Sequence, residues 1–220
     1  HYDLRAMLTA PWGSDVARNT LQSGLSLLPS NLIGRMFSDA PTLTLNIALP
    51  GAAGAVSAGL FTIARKMSSV VQLVRTAFSY VMAPLASSAA TQDRAQVTEI
   101  YAYATRFIAA IALPLALVLA AGSSALLSLF GAEAQMAQSA LIILLIARAA
   151  EAMVGISTPV LQVIAAFRHQ LTASVAGVIT AVVTGYIAHH YMLPLTAVTL
   201  ATALGFCVLA VIPMLQLAWI

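Results

Sequence analysis

The chain has 220 residues, 60% of them hydrophobic and only 8% charged, with a mean hydropathy of +0.93. Soluble domains carry about 25% charged residues, so ten Lys plus Arg and seven Asp plus Glu cannot coat a water-facing surface of this size. That excludes an ordinary cytosolic enzyme, a disordered tail and a nucleic-acid-binding domain, and it makes lipid the main solvent of the fold.

Residues 1–24 hold Arg5 and Arg18 and lack the basic-then-apolar order of a signal peptide. They read as a linker or cytoplasmic segment. Because the first residue is His1, the chain is expected to be a piece of a longer polypeptide, with the missing part upstream. Residues 25–220 then divide into six apolar stretches, each long enough to cross about 30 Å of hydrocarbon. They are Leu25–Leu49, a stretch from Ala52 to about Ala90, Tyr101–Phe130, Met136–Phe167, Leu171–Ala188 and Leu195–Leu217. Segments such as LALVLAAGSSALLSLF do not alternate apolar with polar, as barrel strands do. The fold class expected is therefore all-α: a polytopic membrane bundle of six transmembrane helices.

Basic residues fall in alternate connections. Arg94 lies between spans two and three with Arg106 just inside the next helix, and Arg168 with His169 lies between spans four and five. The connections PGAAG, GAEAQ and HHYMLP have neither Lys nor Arg. The positive-inside rule puts both ends of the segment in the cytoplasm. Ala173, Gly177, Ala181 and Gly185 recur every fourth residue on span five, a ridge that lets helix backbones approach closely in lipid. Cys207 and the loop histidines His189 and His190 read as packing and surface residues.

A charge inside a bilayer costs about 2.5–3.5 kcal/mol on insertion scales, so each needs a reason. On span one, Asn31, Arg35, Ser38, Asp39, Thr42 and Asn46 share roughly a quarter to a third of the helix circumference. Arg35 and Asp39 are one turn apart and can neutralise each other, and Pro41 is expected to kink the helix beside them. On span two, Arg65, Ser68, Ser69, Gln72, Arg75, Thr76 and Ser79 share a side, with Lys66 at its edge. Fully helical, span two would be about 58 Å long, so its cytoplasmic end must leave the hydrocarbon. Arg75 reads equally as an interfacial anchor or as part of a cationic path. On span four, Arg148 and Glu151 read as a self-neutralising structural ion pair, with Gly155, Thr158 and Gln162 continuing their face and Pro159 a candidate kink. Arg35, Arg65 and Lys66 together outweigh Asp39. Uncompensated cations in a membrane cavity point to an anionic ligand, and guanidinium forks suit phosphate oxygens. No H-E-x-x-H, G-x-S-x-G or Walker loop occurs, so no catalytic residue, metal or cofactor is assigned.

The stretch from Gly54 to Ala90, with Gly59-Leu60-Phe61, Ala64-Arg65-Lys66 and Pro84, resembles polysaccharide exporters and lipid-linked oligosaccharide flippases of the multidrug/oligosaccharidyl-lipid/polysaccharide superfamily. The later hairpin with Pro114 and Phe130-Gly131 is similar to the one that follows in that family. The resemblance covers most of residues 25–167. It implies two helix bundles related by a pseudo-two-fold axis along the membrane normal. This chain would be one of them, the C-terminal one, with a second bundle missing. It also implies that the first two helices line a central cavity, where Arg35 and Arg65 would contact a lipid pyrophosphate.

The expected activity is then that of a flippase in the bacterial inner membrane. It would move a lipid-pyrophosphate-linked sugar unit by alternating access, with membrane lipids and that glycan as partners. Lys66 and Arg75 would form an access path, Asp39 would lie beside the head group, and Asn31, Asn46 and Gln72 would meet sugar. Two alternatives stand beside it. A cation-coupled drug exporter of the same superfamily would use cavity carboxylates, for which Asp39 is the candidate. A non-transport scaffold subunit of polysaccharide synthesis would move no lipid.

Overall fold

The computed structural model describes residues 15–90, 94–158, 160 and 167–219, and among these no strand occurs. Helix α1 spans Asp15–Ala48 and α2 spans Ala52–Ala90. Gly51, at φ 61°, turns the chain between them, a left-handed conformation that suits a residue without a Cβ. Helix α3 covers Arg94–Ala121, and the short α4 covers Ser123–Ser128. A 3-10 turn over Ala132–Ala137 leads into α5, Gln138–Val154. Helices α6, Phe167–His189, and α7, Pro194–Trp219, complete the bundle.

Several boundaries differ from the sequence expectation. Helix α1 begins ten residues before Leu25, inside the segment read as a linker, and is helical through Pro29 and Pro41. The third span is not one rod from Tyr101 to Phe130. It breaks at Gly122, where a Gly-Ser-Ser run of weak helix formers meets the turn. The fourth span does not reach Phe167, because α5 stops at Val154. Gly155 there has φ 73°, and a Cβ at that position would collide with Thr105 on α3. The Tyr101 hydroxyl donates to the Val154 carbonyl at 2.5 Å, satisfying one of the orphaned acceptors at the helix end. Thr158 therefore lies beyond the break rather than on the Arg148–Glu151 face, while Pro159 and Gln162 lie outside the described residues.

Among the described residues, four helical segments are long and apolar enough to cross a membrane: Thr98–Ala121, Ala132–Val154, Gln170–His189 and Pro194–Leu217. Six were expected. The two that fall short are α1 and α2, which carry the polar stripes. Large apolar side chains face outward on the four, among them Leu117, Val118, Ile146, Val182 and Leu204. No internal partner covers them, so lipid must, and the chain is a multi-pass membrane protein.

Helix α5 is the centre of the bundle. It is 56% buried as a span, against 22% for the α3 and α6 spans. It packs on α2, α3 and α7, while α1 lies against α2, α6 and α7. The core contains Phe61, Ala64 and Val71 of α2, Ala104, Ile108 and Ala112 of α3, and Leu141, Leu144 and Leu145 of α5. Ala104, Ala112 and Ala116 on the inner face of α3 let these backbones come close, as expected where lipid supplies no hydrophobic drive to association. The antiparallel α6–α7 pair uses glycine the same way. A Cβ on Gly205 would stand 3.0 Å from the Gly177 carbonyl oxygen and 2.5 Å from Cζ of Phe37 on α1.

Substituting Gly205→Val should therefore destabilise the fold by about 1–3 kcal/mol through overpacking. Gly59 on α2 has open space around its would-be Cβ, so Gly59→Ala should stabilise by about 0.5–1 kcal/mol. Thermal unfolding of the detergent-solubilised chain checks both signs.

Candidate functional site

The polar stripe of α1 does not face lipid along its whole length. Asn31, Gly34, Arg35, Ser38 and Asp39 line a hollow of about 850 Å³ that Gln170 and Ser174 of α6 and Leu209 of α7 close from the other side. Helices α1 and α6 run parallel here. The hollow lies toward the bundle end at which α1 starts and α7 finishes.

Its electrostatics turn on one interhelical contact. The Arg65 guanidinium reaches from α2 to α1, where Nη1 donates to the Ser38 carbonyl and lies 3.4 Å from Asp39 Oδ1, with Nη2 at 3.5 Å from the same oxygen. Asp39 is thus engaged across the helix pair rather than by Arg35 one turn away. The Arg65 side chain is 21% exposed and the Asp39 side chain 71% exposed, so the less solvated partner is the cation. A half-buried guanidinium in a bundle needs acceptors, and an α1 carbonyl plus a carboxylate supply them. Arg35 is exposed at the hollow and joins no ion pair among the described residues.

The other sequence candidates are dispersed. Gln72 and Arg75 are half-buried on α2, Lys66 is exposed there, and Asn46 is exposed near the far end of α1. None of these four lines the hollow. The structure therefore brings together Asn31, Arg35 and Asp39, attaches Arg65 to them through Asp39 and Ser38, and leaves Lys66, Gln72, Arg75 and Asn46 apart.

Gln170 and Ser174 were not foreseen. Gln170 is only 8% exposed, and its Oε1 has no hydrogen-bond partner among the described residues. Ser174 is 4% exposed one turn further on. Two polar residues four apart at the head of an apolar span are a visible signal. It was masked by the small-residue ridge that starts at Ala173.

A second polar cluster lies deeper. Arg148 Nη1 and Glu151 Oε2 are 2.6 Å apart, both side chains almost fully buried. The Arg148 guanidinium also stands 4.1 Å over the Phe206 ring of α7, while its Nε has no hydrogen-bond partner among the described residues. The same Phe206 packs edge-on against Phe37 of α1, with ring centroids 5.2 Å apart. Among the described residues no three of His, Cys, Asp and Glu converge in a way that could hold a metal ion.

A family model described as "polysaccharide biosynthesis protein" matches residues 3–135. The match is more than half of the chain and takes in Arg35, Asp39, Arg65 and the stripe of α2, but not Gln170 or Ser174. No curated protein and no solved structure is found to match.

The two ion pairs should respond differently to substitution. Arg148→Met strands a buried carboxylate and should cost about 3–5 kcal/mol, most of it recovered by the double change with Glu151→Leu. Asp39→Asn acts at an exposed carboxylate and should cost no more than about 1 kcal/mol. Thermal unfolding of the three variants in one detergent separates them.

Proposed function

We propose a transport role for this chain, which belongs to the polysaccharide biosynthesis protein family. Membership in the family and the apolar membrane helices support a part in polysaccharide export. Our finer reading is that the chain is one bundle of a flippase. It carries a lipid-pyrophosphate-linked oligosaccharide from the cytoplasmic to the outer leaflet of a bacterial inner membrane, by alternating access.

The observation that carries this is the state of the α1 stripe. Arg65 is paired with Asp39, whereas Arg35 opens into the same polar hollow and joins no ion pair among the described residues. In an apolar bundle that arrangement is costly unless an anion completes it. A phosphate oxygen suits the guanidinium fork, and the hydroxyls of a sugar suit Asn31, Ser38 and Gln170. Arg65 contributes by holding α2 against α1 and by keeping Asp39 from cancelling Arg35.

In this reading α1 and α2 also cross the bilayer, giving six spans with both ends cytoplasmic. Their stripes line a cavity shared with a second bundle of the same polypeptide, and residues 1–24 connect the two. Lys66, Gln72 and Arg75, spread along α2, belong to the wall of that larger cavity. A cation-coupled drug exporter would need a free cavity carboxylate, and the engagement of Asp39 by Arg65 weighs against it.

Arg35→Ala in the full-length protein should reduce transfer of lipid-linked glycan in proteoliposomes by about ten- to a hundredfold, the worth of one lost charge-assisted contact. Arg65→Ala should do at least as much, because it also frees Asp39. Unchanged transfer by well-folded variants would refute the reading, and no transfer by the unaltered protein would favour a scaffold.

A further inference from the structure

The two charged side chains that α1 presents to the hollow are one turn apart and are not paired with each other. Arg35 joins no ion pair among the described residues, although Asp39 stands four positions on and lines the same hollow. The contact that Asp39 does make is a loose one. Nη1 and Nη2 of Arg65 both approach Oδ1, at 3.4 and 3.5 Å. A charge-assisted N–H···O bond is usually about 2.7–2.9 Å, and a guanidinium fork can serve both oxygens of a carboxylate. Here the nearer partner of Nη1 is the Ser38 carbonyl. Among the described residues no donor reaches Oδ2, and the Asp39 side chain is 71% exposed.

Opposite charges one turn apart on a helix ordinarily attract each other. Held apart at a hollow of about 850 Å³, they form a dipole that a ligand of matching charges can complete. The rest of the wall, with Asn31, Ser38, Gln170 and Ser174, is neutral, so it offers hydrogen bonds but no charge. Net charge narrows the ligand. Two guanidiniums against one carboxylate leave the site with one positive charge. A diphosphate diester is doubly negative, so alone it would leave one negative charge unmatched in a bundle surrounded by hydrocarbon, where such a charge is costly. A diphosphate diester with one ammonium group beside it is singly negative and matches the site.

We infer that the hollow is a dipolar site: Arg35 takes the phosphate oxygens of the lipid-linked substrate, and Asp39 takes a free ammonium group on the sugar joined to them. The inference rests on the transport reading above and adds a requirement on the cargo. Its first sugar is an amino sugar whose nitrogen is not acylated, since an acylated nitrogen has no charge to offer the carboxylate. Spacing agrees with this. Side chains one turn apart have Cβ atoms about 5–6 Å apart, so the charges they bind belong to neighbouring groups, which places the amine on the sugar next to the phosphates. Arg65 then has a definite part. It holds the carboxylate by one oxygen and leaves the other for the ligand.

The test uses full-length protein in phosphatidylglycerol nanodiscs. The probes are a short-chain prenyl diphosphate bearing glucosamine, the same lipid bearing N-acetylglucosamine, and inorganic pyrophosphate. The glucosamine probe should bind about tenfold tighter than its N-acetyl counterpart, a difference of about 1.4 kcal/mol, and this comparison needs no variant. Asp39→Asn should weaken the glucosamine probe about tenfold and leave the other two unchanged or tighter, because it removes a negative charge from the site. Misfolding would instead weaken all three together. Arg35→Ala should weaken every probe. Equal binding of the two glycolipids, or parallel losses for them in folded Asp39→Asn protein, overturns the ammonium site and leaves the transport reading standing. A preference that vanishes when phosphatidylethanolamine is added to the nanodiscs overturns the sugar assignment, because that lipid carries a phosphate and an ammonium group and would be the occupant. If Arg35→Ala changes none of the probes, the transport reading beneath the inference fails.

Discussion

Charge in a hydrocarbon solvent must be matched by geometry, and in this chain that requirement fixes how α1 meets α2. An unpaired guanidinium on α2 would be costly at membrane depth. Arg65 avoids this by spanning the helix gap to the Ser38 carbonyl and the Asp39 carboxylate. The pairing adds a polar contact to the packing of these two antiparallel helices. It also bears on the chemistry of the hollow beyond. Arg35 shares its hollow with Asp39, which Arg65 engages from α2, and with the neutral polar groups of Gln170 and Ser174 on α6.

The contrast between α1–α2 and the remaining helices follows from the same constraint. Helices α3, α6 and α7 are apolar nearly all round, and lipid covers what the bundle does not. Helices α1 and α2 are long, 34 and 39 residues, but only part of their circumference suits lipid. A membrane helix with an exposed polar stripe is incomplete by itself, because something aqueous or polar must lie along that stripe. The polar stripes are what make these two helices less apolar than the four that can cross a membrane by length and composition.

Much of this was legible in the residues. The helix class, the start and end of α2, the α6 and α7 limits and the α1 stripe all follow from apolar run length and the 3.6-residue period. What could not be read were the features decided by contact. Gly155 looks like one more small residue in an apolar run, yet the proximity of Thr105 and the Tyr101 hydroxyl ends α5 there. Asp39 has two arginines within reach in sequence terms. Only the packing of α2 on α1 selects Arg65 over Arg35. Gln170 is a single amide at the start of an apolar helix, and its importance comes from burial without a partner, which no pattern of letters encodes. The dispersal of Lys66, Gln72 and Arg75 has the same origin. Sharing one side of a 39-residue helix does not bring residues to one site when the helix is about 58 Å long.

Phe206 connects the two polar clusters. Its ring lies under the Arg148 guanidinium on α5 and against the edge of Phe37 on α1. A close-packed ring of this kind cannot shift by half a diameter without displacing one neighbour or the other. Movement of Phe37 would therefore either break the edge contact or carry Phe206 with it. In the second case the buried Arg148–Glu151 pair, tied to α5 near its abrupt end at Gly155, would be disturbed as well. Helices α1, α7 and α5 are thus joined through one aromatic side chain.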